Sequence, residues 1–147
     1  MTVSAEVRAA REALVREHMD SENRQDFEAT MATFAHPRYE LIATGEVHDG
    51  EAAVRAYYAS SRAVFGDQRN EVIAIHHADD GVFAEFDLLG THTGSLAGFA
   101  ATGREFRCRM VALFLFDGDR INCERVYFDS GTILRQLGLL DRSPAGE

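Results

Sequence analysis

Residues 71–128 form a nearly unbroken succession of strand-like segments, and this constrains the fold more than any other feature of the sequence. Apolar and polar residues alternate over 71–78, 82–92, 104–116 and 121–128, the period of a sheet with one buried face. Asp79-Asp80-Gly81 and Asp117-Gly118-Asp119 read as hairpin turns, so the strands they join run antiparallel. A loop of small residues, 93–103, joins the two middle strands. A sheet of this kind needs a cover over its apolar face. Val7, Ala10, Leu14 and His18 fall at helical spacing over 4–20, and Phe27, Thr30, Met31 and Phe34 mark a second helix that ends at His36-Pro37. Residues 38–44 read as a short strand and 45–50 as a turn, with Asp49 placed to cap a third helix. That helix carries Val54, Tyr57, Tyr58, Ser61, Val64 and Phe65 inward and closes at Gly66-Asp67. A last helix over 130–137 follows Asp129 and stops at Gly138. The fold class is α+β: a curved antiparallel sheet packed by N-terminal helices, with a short C-terminal helix.

A chain of 147 residues with 46% hydrophobic and 27% charged residues is expected to form one domain, 1–147. Its net charge of −9 argues against nucleic acid and anionic membranes, both of which call for a basic patch. No apolar run approaches the ~20 residues of a membrane span. The start of the chain alternates charge with alanine and lacks the apolar core of a signal peptide, so a cytoplasmic location is expected. Cys108 and Cys123 do not have the spacing of a metal knuckle and are expected to be core thiols.

Strand parity then sorts the candidate site residues. One face collects Val82, Ala84, Phe86, Leu88 and His92 with Phe106, Cys108, Met110, Ala112, Phe114 and Phe116. Two registers of the last hairpin are open: with Gly118-Asp119 as its loop Asp129 faces Cys108, and with Asp117-Gly118 it faces Phe106. Both registers assume an unbroken ladder, which a β-bulge would invalidate. Both put Asp129 and Tyr127 on the apolar inner face with His92, and Glu124, Val126 and Phe128 on the outer face. Asp129 therefore has two readings, a helix cap or a carboxylate desolvated at a cavity mouth and raised toward general-base range. His18 ends the stripe of the first helix, as a buried histidine or as a donor to a pocket. Outside, Glu85, Asp87, Arg107 and Arg109 can pair across strands, and the apolar residues among them call for a second subunit.

Gly90-Thr91-His92-Thr93-Gly94, Ala101-Thr102-Gly103-Arg104, Asp117-Gly118-Asp119-Arg120-Ile121, Tyr127-Phe128-Asp129 and Leu134-Arg135-Gln136-Leu137-Gly138 occur in the order found in the SnoaL-like polyketide cyclases. The chain resembles that family, within the nuclear-transport-factor fold superfamily, from about residue 13 to residue 140. The resemblance implies a cone-shaped sheet closed by helices, a deep pocket, and no metal or organic cofactor. It further implies that Asp129 is the acid/base of an intramolecular aldol ring closure, with His92 and Tyr127 as pocket donors. His36, Tyr39 and His48 would lie near the mouth, and Phe106 and Met110 along the wall. Ile42 stands where related steroid isomerases carry their base, which argues against that chemistry. Arg107-Cys108-Arg109 lacks the Arg-x-Asp pair of related epoxide hydrolases. The expected activity is a cofactor-independent cyclase or isomerase acting on a small hydrophobic carbonyl compound. The alternative is a non-catalytic binding protein using the same cone.

Overall fold

The structure, a computed structural model, describes residues 2–144. Ser4 opens helix α1 (Ala5–Asn23) by accepting the Val7 amide at 3.2 Å. Asp26 opens α2 (Phe27–Ala32) in the same way. Strands β1 (Arg38–Leu41) and β2 (Glu46–Asp49) follow, then α3 (Glu51–Val64). The long strands are β3 (Arg69–His77), β4 (Gly81–Thr91), β5 (Glu105–Asp117) and β6 (Arg120–Tyr127), and α4 (Ser130–Leu137) closes the chain. Gly138 ends α4 in the left-handed conformation, φ 75°, where a glycine costs least.

Two local expectations are corrected. Residues 45–50 are not only a turn: Glu46–Asp49 pair with β1 as an edge strand. Asp49 does not cap α3. Gly50 holds that position with no side-chain bond, while the Asp49 carboxylate accepts from His36 Nε2 at 2.6 Å.

The six strands lie in the order β2-β1-β6-β5-β4-β3. All pairs are antiparallel except β1 with β6, which brings Tyr39 beside Glu124. The β5–β6 ladder carries the correction with most consequence for the site. It starts as Asp117↔Arg120 and Phe116↔Ile121, the register expected for a Gly118-Asp119 loop, and then steps to Leu115↔Cys123. Asn122 is the extra residue, a β-bulge that leaves two residues opposite one. One inserted residue reverses the parity of the rest of the strand. Glu124 therefore lies opposite Phe114 and Val126 opposite Ala112, on the inner face. Tyr127 turns outward and is 43% exposed.

The helices cover the inner face of the sheet. Val15 and Met19 of α1 and Val54 and Tyr58 of α3 pack in one core with Val82, Ala84 and Phe114. On the outer face Asp87 accepts from Arg107 at 2.8 Å and from Arg109 at 2.7 Å, the cross-strand pairing expected of those charges. Both cysteines are buried free thiols. No helix among the described residues is long and apolar enough to cross a membrane.

Candidate functional site

Between the sheet and the helices lies a cavity of about 540 Å³. Phe86, Leu88, Phe106 and Met110 form its sheet wall, and Leu96 and Phe99 of the 93–103 loop, with Ile133 and Leu134 of α4, form its far side. One wall is a ladder of rings: His48 stacks on Tyr57 with centroids 4.6 Å apart, and Tyr57 on Tyr39 at 4.9 Å. Carboxylates interrupt the apolar lining, with Glu22 and Glu124 deep inside and Glu46 at the β2 edge. Among the described residues no arginine lines the cavity.

The buried polar cluster grows from α1 and β6. His18 and Glu22 are one helical turn apart on the same face of α1, and the bulge turns Glu124 to meet them. His18 Nε2 lies 2.9 Å from Glu124 Oε2 and 3.2 Å from Glu22 Oε1. The Thr33 hydroxyl donates to the Thr30 carbonyl at 2.6 Å, so its oxygen accepts from His18 Nδ1–H at 2.8 Å. With carboxylates at the other nitrogen, the ring is held as an imidazolium. Burial alone would push its pKa down; the charges and hydrogen bonds of Glu124 and Glu22 outweigh that and hold it up at about 10. Glu124, 3% exposed, is pushed up to about 7 by burial and then by the negative charge of Glu22, against the pull of His18 and Arg62. Arg62 supplies the second cation. Its guanidinium lies 3.7 Å from Glu22 Oε2 and over the rings of Phe27 and Tyr58 at 5.2 and 5.4 Å.

The donor atoms of His18, Glu22 and Glu124 lie within 4.8 Å of one another, close enough to share a cation. The contacts of the ring are those of a hydrogen-bond network, with Nδ1 on the Thr33 hydroxyl and Nε2 between the two carboxylates. The cluster is an ion-paired hydrogen-bond network.

Of the residues expected at the site, Tyr39, His48, Phe106 and Met110 line the cavity. His18 is fully buried and acts on the cavity through Glu124 and Glu22. The face expected for Asp129 is corrected. It is exposed beyond the end of β6 and caps α4, accepting from the Gly131 amide and the Thr132 hydroxyl at 3.0 Å each. His92 is buried but absent from the cavity lining; its Nδ1 accepts from the Thr102 amide at 3.2 Å and ties down the base of the 93–103 loop. His36 is half exposed and pairs with Asp49, away from the lining. Glu22, Glu124, Tyr57 and Arg62 were not anticipated as site residues. The spacing of His18 and Glu22 on one helical face was the available signal, and parity without the bulge concealed Glu124.

The sequence model of the SnoaL-like polyketide cyclase family matches residues 12–137, most of the chain and all of the cavity-forming elements. The chain belongs to the SnoaL-like polyketide cyclase family. This membership supports a cyclase- or isomerase-type function for this SnoaL-like protein. The aklanonic acid methyl ester cyclase AcmA of Streptomyces galilaeus is 31% identical over 111 residues, which is 74% of this chain and 77% of AcmA. Solved structures share the fold. A candidate SnoaL-like cyclase from Jannaschia superposes with a TM-score of 0.83 at 16% identity, covering 97% of this chain and all (100%) of its own. IdmH of Streptomyces antibioticus, a candidate polyketide cyclase, gives 0.76 at 23% identity over 87% of this SnoaL-like chain and 98% of its own.

Proposed function

We propose that this SnoaL-like protein closes a ring, or shifts a double bond, in an uncharged hydrophobic carbonyl compound without a cofactor, with Glu124 as the acid/base. One observation carries the reading: a carboxyl group on the floor of an apolar cavity, raised to about 7 by burial and by Glu22, and hydrogen-bonded to an imidazolium. A base matched to neutral pH can remove a proton from carbon next to a carbonyl and later return it.

In the proposed reaction, ionised Glu124 takes the proton on the α-carbon, and the C–H electrons move onto the carbonyl oxygen as an enolate. Tyr39 and Tyr57 supply hydroxyl donors for that oxygen; burial raises the pKa of both, which keeps them protonated. The enolate carbon attacks a second carbonyl of the same molecule, forming the ring bond. The resulting alkoxide recovers the proton from Glu124. Proton uptake by Glu124 leaves the two buried cations of His18 and Arg62 facing one carboxylate, a positive balance that suits the developing enolate. Lysine and arginine together number fifteen and all are arginine, so these 147 residues offer no lysine for a Schiff base, which supports an enolate route.

The lining favours a neutral substrate. The lining is mainly apolar and, among the described residues, offers an acid no arginine partner, whereas an ester needs none. AcmA by name acts on a methyl ester, and the same class of substrate is proposed here. A pure binding role would need the cavity but not the raised carboxyl.

Deuterium exchange at the α-carbon of neutral β-keto esters in D2O, followed by NMR, tests the assignment. Glu124→Gln should lower exchange by about two orders of magnitude or more, while Asp129→Asn should keep it. Exchange that survives in Glu124→Gln, or vanishes only in Asp129→Asn, would return the role to another group.

We also propose that the outer sheet face, with Ile73 and Tyr127 exposed beside half-buried Leu113 and Leu115, meets a second copy of the chain.

A further inference from the structure

We infer that Glu22, counter-charged by Arg62, is a positioning residue that takes over the His18 imidazolium whenever Glu124 carries a proton. The inference rests on the reading of Glu124 as the acid/base.

The geometry supplies the argument. A single donor, His18 Nε2–H, points between two carboxylate oxygens, 2.9 Å from Glu124 and 3.2 Å from Glu22. Only one of them can hold the full hydrogen bond at a time. While Glu124 is ionised, its shorter contact holds the N–H. Once Glu124 has received a substrate proton, it is the poorer acceptor, and a buried imidazolium would lose its partner. An unpartnered buried charge is heavily disfavoured. Glu22 is already in place one turn along the same helix, so the hydrogen bond can pass to it by a small reorientation. The other Glu22 oxygen faces Arg62, itself fixed by a hydrogen bond to Ser61 Oγ at 2.9 Å and by the Phe27 and Tyr58 rings. Arg62 thus keeps Glu22 from becoming a second lone buried anion when Glu124 is ionised. The charged and titratable groups around Glu124 are His18 and Glu22 from α1, Tyr39 from β1, and Tyr57, Tyr58 and Arg62 from α3; β5 presents Phe114.

Glu22 and Arg62 therefore act on Glu124 with opposite sign. The charge on Glu22 favours the protonated form, and the charge on Arg62 favours the ionised form. A merely structural role predicts something else: loosening the cluster by either route would hydrate Glu124 and move it toward an ordinary carboxylate in both variants.

The experiment is a carboxyl NMR titration of protein labelled with carbon-13 glutamate, with Glu124→Gln assigning the signal. Glu22→Gln should move the Glu124 midpoint down by about one pH unit or more, and Arg62→Met should move it up. The α-exchange pH profile should follow each shift. An unchanged midpoint in Glu22→Gln, or a downward shift in both variants, overturns the inference while leaving Glu124 as the base. Should Arg62→Met fail to fold, Glu22→Asp decides it: by keeping the charge it should return the midpoint and the pH profile toward wild type, whereas a midpoint as low as in Glu22→Gln overturns the inference. A wild-type midpoint in the ordinary carboxylate range would instead overturn the proposed function itself.

Discussion

At the scale of single residues, the His18–Glu124 pair ties stability to pH in a direction opposite to the common one. Most carboxylates gain favourable partners on folding, so stability usually rises as pH leaves the acid range. Here His18 is held at about 10 against an ordinary 6.5, so the folded chain binds a proton that the unfolded chain releases in between. Its contribution is fully present below pH 6.5 and is lost as pH rises through 10. Glu124, raised from 4.5 to about 7, acts with the same sign over its own window. Stability should therefore fall by on the order of 5 kcal/mol between pH 6.5 and pH 10. Thermal unfolding across that range checks this, with His18→Gln expected to flatten the slope. A wild-type slope as flat as that of the variant would mean the imidazolium gains nothing from its two carboxylates.

At the scale of elements, the 93–103 loop depends on one contact that only glycine allows. A Cβ at Gly94 would lie 1.9 Å from the backbone carbonyl oxygen of Ala63, at the point where the Gly94 amide donates to Val64 at the end of α3. Gly94→Ala should cost about 2–3 kcal/mol by overpacking, read from chemical denaturation, and should shift the loop that carries Leu96 and Phe99 against the cavity. A variant as stable as the wild type would show that the loop yields freely. Elements of this kind were largely legible in the sequence. The hairpin turns, the helical stripe of α3 and the Asp129-to-Gly138 helix all carry local signals at the positions where the structure has them. The short strand β2 was not legible, because an exposed four-residue edge bears no buried face to impose alternation. The candidate site was only half legible. Phe106 and Met110 follow from parity in a strand without a bulge ahead of it, and Tyr39 and His48 were expected at the mouth from the family resemblance, whereas Asn122 reverses the parity of everything after it. Nothing about Asn122 announces a bulge, because the choice depends on what Phe114 and Ala112 face across the ladder. Glu22 was hidden for another reason: among the many charges of α1, a carboxylate reads as solvated until a histidine and Glu124 are brought against it.

At the scale of the whole molecule, the sheet has two faces with different tasks. The inner face holds the cavity, and the outer face holds the Asp87 ion pairs and a band of partly exposed apolar residues. The proposed dimer predicts twice the chain mass by sedimentation equilibrium at micromolar concentration. Leu113→Arg, on the outer face opposite Phe83 and Arg125, should shift the protein toward monomer without altering α-exchange per chain. A monomer at all accessible concentrations would mean the outer face needs no partner.

The two halves of the proton-handling cluster come from opposite ends of the chain, since 106 positions separate His18 from Glu124. Neither has unusual chemistry alone: in water one is an ordinary imidazole and the other an ordinary carboxylic acid. The proposed reactive group comes into being only when β6 docks against α1. On the proposed assignment a half-folded chain is thus chemically silent, and activity would report that these two elements have met.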